Sequence, residues 1–146
     1  MKRHFLRMAR AVALACLPAL AACTETYAVA GLFEAGGEPF FGSVGVGMGQ
    51  SGGIKVATRD GRVQCSGTSK VTQLPSGYSY IGAQGSATAT CNNGRSFKID
   101  FIQTSETGGR GHGIDDAGAI VQIYFDMSDG LARSMLDQHR LNALVQ

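Results

Sequence analysis

Apolar and polar positions alternate with period two over most of the chain beyond Phe40, the spacing of β-strands. Val44, Val46 and Met48 alternate with Gly45, Gly47 and Gly49, so one face of that segment is apolar and the other has no side chains. A glycine face weakens a strand and marks a bend or a close approach of backbones. Ile54 to Thr58 runs into Asp60-Gly61 and on to Arg62-Val63-Gln64-Cys65. Asp-Gly is a strong two-residue hairpin signal, because glycine takes positive φ at little cost. Counting out from that turn pairs Thr58 with Val63 and Val56 with Cys65, with Ile54, Val56, Val63 and Cys65 on one face.

A second hairpin joins Gly85–Cys91 to Arg95–Phe101 through Asn92-Asn93-Gly94. A two-residue turn at Asn93-Gly94 would set Phe97 against Thr90 and Ile99 against Thr88. A three-residue loop with Gly94 left-handed sets Phe97 against Ala89, Ile99 against Ala87 and Phe101 against Gly85. The second register opposes large groups to small ones, and it turns Cys65 and Cys91 coreward together. Residues 104–118 read as a loop rich in glycine and charge. Ala119 to Asp126 follows as a strand, with Val121, Ile123 and Phe125 on one face and Gln122, Tyr124 and Asp126 on the other.

The period then changes to that of a helix. Ser128 or Asp129 is placed to cap it near Leu131. Leu131, Met135 and Gln138 or His139 form a stripe, with Leu136 and Ala143 beside it, to pack on a sheet edge or an open barrel end. His139 reads as a surface or boundary residue. The fold expected is mainly β, a small antiparallel sandwich or barrel with one C-terminal helix, in a single domain over 39–146.

The first residues carry a different pattern. Lys2, Arg3, Arg7 and Arg10 precede an uncharged apolar run from Ala11 to Leu20. That run is shorter than the ~20 apolar residues a membrane-spanning helix needs, and it reads as an export signal over 1–22. It ends in Leu20-Ala21-Ala22-Cys23, which resembles the lipobox of bacterial lipoproteins. The resemblance implies diacylglycerol on the Cys23 thiol and cleavage before Cys23. Thr24, in place of the aspartate that retains enterobacterial lipoproteins in the inner membrane, implies delivery to the outer membrane, facing the periplasm. Residues 23–38 show no sustained period and read as a tether holding the domain off the lipid.

Removing the signal changes the charge balance. Of 13 Lys+Arg, four lie before Cys23, and none of the 11 Asp+Glu does, which leaves nine basic against eleven acidic residues. The basicity of the whole chain is thus a targeting feature, and nucleic acid is not an expected partner. Of four cysteines, Cys16 leaves with the signal and Cys23 is lipidated. Cys65 and Cys91 remain, and in an oxidising compartment they are expected to form a disulfide.

Two motifs bear on chemistry. Gly47-Met48-Gly49-Gln50-Ser51-Gly52 fits G-x-G-x-x-G, but a strand-like segment follows it where a nucleotide site needs a helix, so no nucleotide is expected. Gly108 to Asp116 is the most chemically dense stretch. Arg110 could hold an anion, and His112 with Glu106, Asp115 and Asp116 could meet a cation or a partner. These five residues form the candidate binding loop. One histidine among acids in a glycine loop fixes no metal geometry, and the calcium-loop pattern is absent. No nucleophile elbow or catalytic triad is readable, so no catalytic residues, cofactor or metal are expected, and the chain reads as no enzyme. The reading is a lipid-anchored envelope lipoprotein with a non-catalytic binding or structural role and an envelope protein as possible partner. The alternative is an envelope-protecting inhibitor, since small lipid-anchored β-barrels with a disulfide are similar in size and class to bacterial lysozyme inhibitors. An envelope hydrolase acting through the Arg110–Asp116 stretch is a more remote reading.

Overall fold

The computed structural model describes residues 25–46 and 51–145. The signal segment, Cys23, Thr24 and residues 47–50 of the glycine motif lie outside the described residues. Eight strands follow in order: β1 (Glu25–Phe33), β2 (Glu38–Val46), β3 (Ser51–Thr58), β4 (Gln64–Gln73), β5 (Gln84–Cys91), β6 (Ser96–Gln103), β7 (Gly108–Asp115) and β8 (Ile120–Asp126). Each pairs antiparallel with its neighbour in sequence, and β8 pairs back onto β1, closing a barrel. The helix α1 (Asp129–Leu144) follows. The architecture is therefore the barrel form of the mainly β fold, with one C-terminal helix.

Both hairpin registers hold. Val56 opposes Cys65, and the Thr58 amide donates to the Val63 carbonyl. Phe97 opposes Ala89, Ile99 opposes Ala87 and Phe101 opposes Gly85. Gly94 has φ +87°, the left-handed conformation the three-residue loop requires. In this register Cys65 and Cys91 lie directly opposite each other across β4 and β5, and they form a disulfide.

The inward faces carry the apolar residues. Val29, Phe33, Phe40, Ile54, Ile99 and Val121 are all buried in one core. The outward faces of β4 to β6 are mostly polar: Ser66, Thr68, Lys70, Thr88, Lys98 and Asp100 are all exposed, with Ile102 the one large apolar side chain exposed among them. An apolar interior inside a polar wall is the reverse of a membrane-spanning barrel, whose lipid-facing side is the apolar one. Among the described residues no helix is long and apolar enough to cross a membrane.

Two segments expected to be irregular are strands. The tether expected over 23–38 is displaced by sheet, because Glu25–Phe33 is strand β1, paired on one side with β2 and on the other with β8. Its inner face, including Tyr27, Val29 and Phe33, lines the barrel, while Ala30 and Leu32 on its outer face pack under Ala132 and Leu136 of α1. A strand covered on both faces is apolar throughout and shows no alternation. The domain therefore includes β1 from Glu25 and does not start at residue 39. The segment 104–118 is likewise no single loop, since Gly108–Asp115 is strand β7. Gly109, Gly111 and Gly113 face inward, where a Cβ on Gly109 would lie 2.6 Å from the Phe125 ring and one on Gly111 2.9 Å from the Phe101 Cβ. The strand yields its inner volume to neighbouring aromatic rings, so it lacks an apolar stripe.

The helix is capped as expected, with the Ser128 hydroxyl accepting from the Leu131 amide. Its packed face is rotated by about one position from the expected stripe. Ala132 and Leu136 are buried, Met135 and His139 are half-buried, and Leu131 is exposed. It lies along the outside of β1 and β8 and not across a barrel end.

Candidate functional site

The two ends of the barrel differ in chemistry. The β1–β2, β3–β4, β5–β6 and β7–β8 turns lie at one end, which is plugged. Phe33, Phe40 and Phe97 stack there, with ring centroids 4.6 to 6.0 Å apart. The Arg95 guanidinium lies 4.6 Å above the Phe33 ring and 3.8 Å from the Asp115 carboxylate. Asp115, buried, also accepts from the amides of Ala117 and Ala119 and so fixes the β7–β8 turn.

At the other end, where β1 starts and the β4–β5 loop (residues 74–83) and β6–β7 turn (residues 104–107) lie, the interior is not filled. A cavity of about 390 Å³ runs inward from the rim. That volume is within the ~300–1,000 Å³ typical of small-molecule sites. Its walls are apolar and come from several strands: Val29, Val44, Ile54, Phe101, Ile123 and Phe125. Small inward residues on β5, Ala87 among them, leave the space open. Phe101 and Phe125 meet edge to face at 5.7 Å, and Tyr27 meets Phe125 the same way at 5.9 Å.

Polar groups are few and sit near the mouth. The Tyr27 hydroxyl donates to a Glu25 carboxylate oxygen at 3.1 Å. Burial, and then the hydrogen bond to Glu25 and its charge, push the Tyr27 phenol up to about 12, so it remains a neutral donor over the whole physiological range. The Gln103 side-chain amide donates to the Glu106 carbonyl. The cavity reaches the surface at Glu25, Leu74 and Tyr80, all exposed.

The five residues expected to form one binding loop are not brought together. Arg110 and His112 point outward from β7 into solvent. Asp115 is at the plugged end, buried, and Asp116, exposed in the next turn, accepts from the Ser96 amide. Among the described residues no three His, Cys, Asp or Glu side chains are grouped to hold a metal ion. Glu106 alone sits near the cavity. Its carboxylate accepts from the Ser79 hydroxyl at 2.6 Å and, more weakly, from the Tyr80 amide at 3.5 Å. It thereby pins the β4–β5 loop beside the mouth. Sequence reasoning passed over Glu25, Tyr27 and Tyr80. The one available signal was the stretch Leu74 to Ala83, a run without a charge between two polar strands.

No protein-family model matches the chain, and no curated protein matches it. Among solved structures, the chain is similar to a barrel described as a de novo design of a fluorescence-activating β-barrel. The TM-score is 0.51 at 15% sequence identity, covering 70% of this chain and 91% of the designed one. At that identity the likeness is one of fold.

Proposed function

We propose that this chain is a lipid-anchored, non-catalytic binding protein of the bacterial cell envelope, and that its ligand is a small apolar molecule held in the open end of the barrel. The cavity carries the reading: about 390 Å³, apolar walls, and polar groups confined to the rim. A site of that kind gains affinity from removing apolar surface from water, at about 25 cal/mol per Å², while a few polar groups set orientation. The export signal and the Leu20–Cys23 lipobox support the location, and the Cys65–Cys91 disulfide is compatible with it.

The test is uptake of an uncharged fluorescent probe, N-phenyl-1-naphthylamine, by protein purified from Thr24 onward without the acyl chains, in detergent-free buffer. Saturable fluorescence enhancement is expected. Ala87→Phe, which extends a wall residue into the cavity, should reduce it at least tenfold while the circular dichroism spectrum stays that of a β-barrel. Absence of saturable uptake by the unaltered protein, or equal uptake by a folded Ala87→Phe variant, would overturn the reading.

A further inference from the structure

The lipobox cysteine stands two positions before Glu25, the first residue of β1. With no tether between them, two residues reach at most about 7 Å. Glu25 lies at the open end of the barrel and itself borders the cavity. The anchor of the proposed lipoprotein is therefore attached at the rim of the binding cavity, and the plugged end lies roughly 20–25 Å away along the barrel axis.

The rim has the surface chemistry of an interfacial contact. The β4–β5 loop, residues 74–83, carries no charged side chain. Leu74, Tyr78, Tyr80 and Ile81 on it are exposed, Tyr78 completely. Tyrosine is enriched at the level of lipid headgroups, where the ring meets apolar surface and the hydroxyl meets water. On the same end Met127, in the β8–α1 junction, is also exposed. The loop has none of the clustered Lys or Arg that draws proteins to anionic lipid, and the acids at this end of the barrel are spread over other elements, with Glu25, Glu106 and Asp129 exposed and Asp126 buried. The chemistry thus fits a zwitterionic surface.

We propose that the open rim of the barrel, led by Tyr78, Tyr80 and Ile81, lies against the bilayer that holds the Cys23 acyl chains, so that the cavity opens toward lipid. The proposal rests on the lipid anchor proposed above. It places the cavity where a molecule dissolved in the membrane reaches it without crossing water.

The chain contains no tryptophan, so a single introduced one reports its own surroundings. The experiment uses the lipidated protein reconstituted on vesicles of phosphatidylethanolamine and phosphatidylcholine, with or without brominated acyl chains. One variant is Tyr78→Trp at the open rim. The other is Ala35→Trp, exposed in the β1–β2 turn at the plugged end. Intact mass reports acylation separately. Tyr78→Trp should show a blue-shifted emission maximum on vesicles and quenching by brominated lipid several-fold stronger than Ala35→Trp. Acylated protein in which the two are quenched equally would overturn the docking and leave the anchor standing. Protein purified from the membrane without lipid on Cys23 would overturn the anchor, and the docking with it. Strong quenching of Tyr78→Trp in acylated protein whose cavity fails to take up the naphthylamine probe would uphold the docking and remove only the ligand.

Discussion

The Glu106 carboxylate accepts a hydrogen bond from the Ser79 hydroxyl at 2.6 Å, joining the β6–β7 turn to the β4–β5 loop across 27 positions of sequence. Both groups are exposed, so the bond adds little to global stability, and it acts on the loop that flanks the cavity mouth. Glu106→Ala should lower stability by about 1 kcal/mol or less. Amide exchange over residues 76–82 should rise at least tenfold while β5 and β6 keep their protection. Hydrogen-exchange mass spectrometry checks this, and unchanged exchange in the loop would show that Glu106 does not hold it.

Asp115 should separate from Arg110 and His112 in a stability series. Asp115→Ala removes a buried acceptor of two turn amides and leaves Arg95 without its carboxylate. Loss of about 1–3 kcal/mol is expected. Arg110→Ala and His112→Ala, both outward on β7, should stay within about 0.5 kcal/mol. Urea unfolding midpoints of the three variants decide it.

The Cys65–Cys91 bond closes a loop of sequence separation 26, which constrains the unfolded chain. The double variant Cys65→Ala/Cys91→Ala should lose about 3.5 kcal/mol on the chain-entropy model. Thermal unfolding with and without reductant should show the unaltered protein falling to the level of the double variant. Insensitivity of the melting temperature to reductant would count against that magnitude.

Tyr27 supplies a pH signature. Its phenol is raised from 10.0 to about 12 by burial and by Glu25, so the folded state holds that proton where the unfolded chain has released it. Stability linked to this group is therefore fully present below about pH 10 and is lost as pH climbs from 10 toward 12. Absorbance titration should show a late tyrosinate phase near pH 12 or coincident with unfolding, and Tyr27→Phe should reduce its amplitude, leaving the share of Tyr124, whose phenol burial also pushes up.

The hairpin strands were readable because each is buried on one face, which leaves a period-two imprint, and because Asp60-Gly61 and Asn93-Gly94 fix their registers. The unread strands are those whose neighbours alter that imprint. β1 lies between the barrel interior and α1, so Ala28 to Phe33 is apolar without alternation. β7 puts glycine where an apolar residue would stand, because Phe101 and Phe125 already occupy the space. The helix face shifted for a similar reason, since the small Ala132 and not Leu131 meets the barrel wall. The cavity could not be read locally at all. It is a volume left by β1 to β6 and β8 together, and its mouth depends on a loop that carries no motif. Charge density drew attention to Arg110 and His112, which share a strand with the barrel but point away from its interior.

Closure of the barrel depends on β1 finding β8, with Ala28 opposite Asp126, almost the whole domain later in the chain. Until the final strand has emerged, β1 and β7 each present a row of unpaired backbone groups to any passing chain. Such long-range pairing is also slow to form. A polypeptide shortened to end before Ile120 would keep seven strands and both raw borders, and it should self-associate into insoluble material where the whole chain remains dispersed. The final strand thus guards the other seven against their own kind.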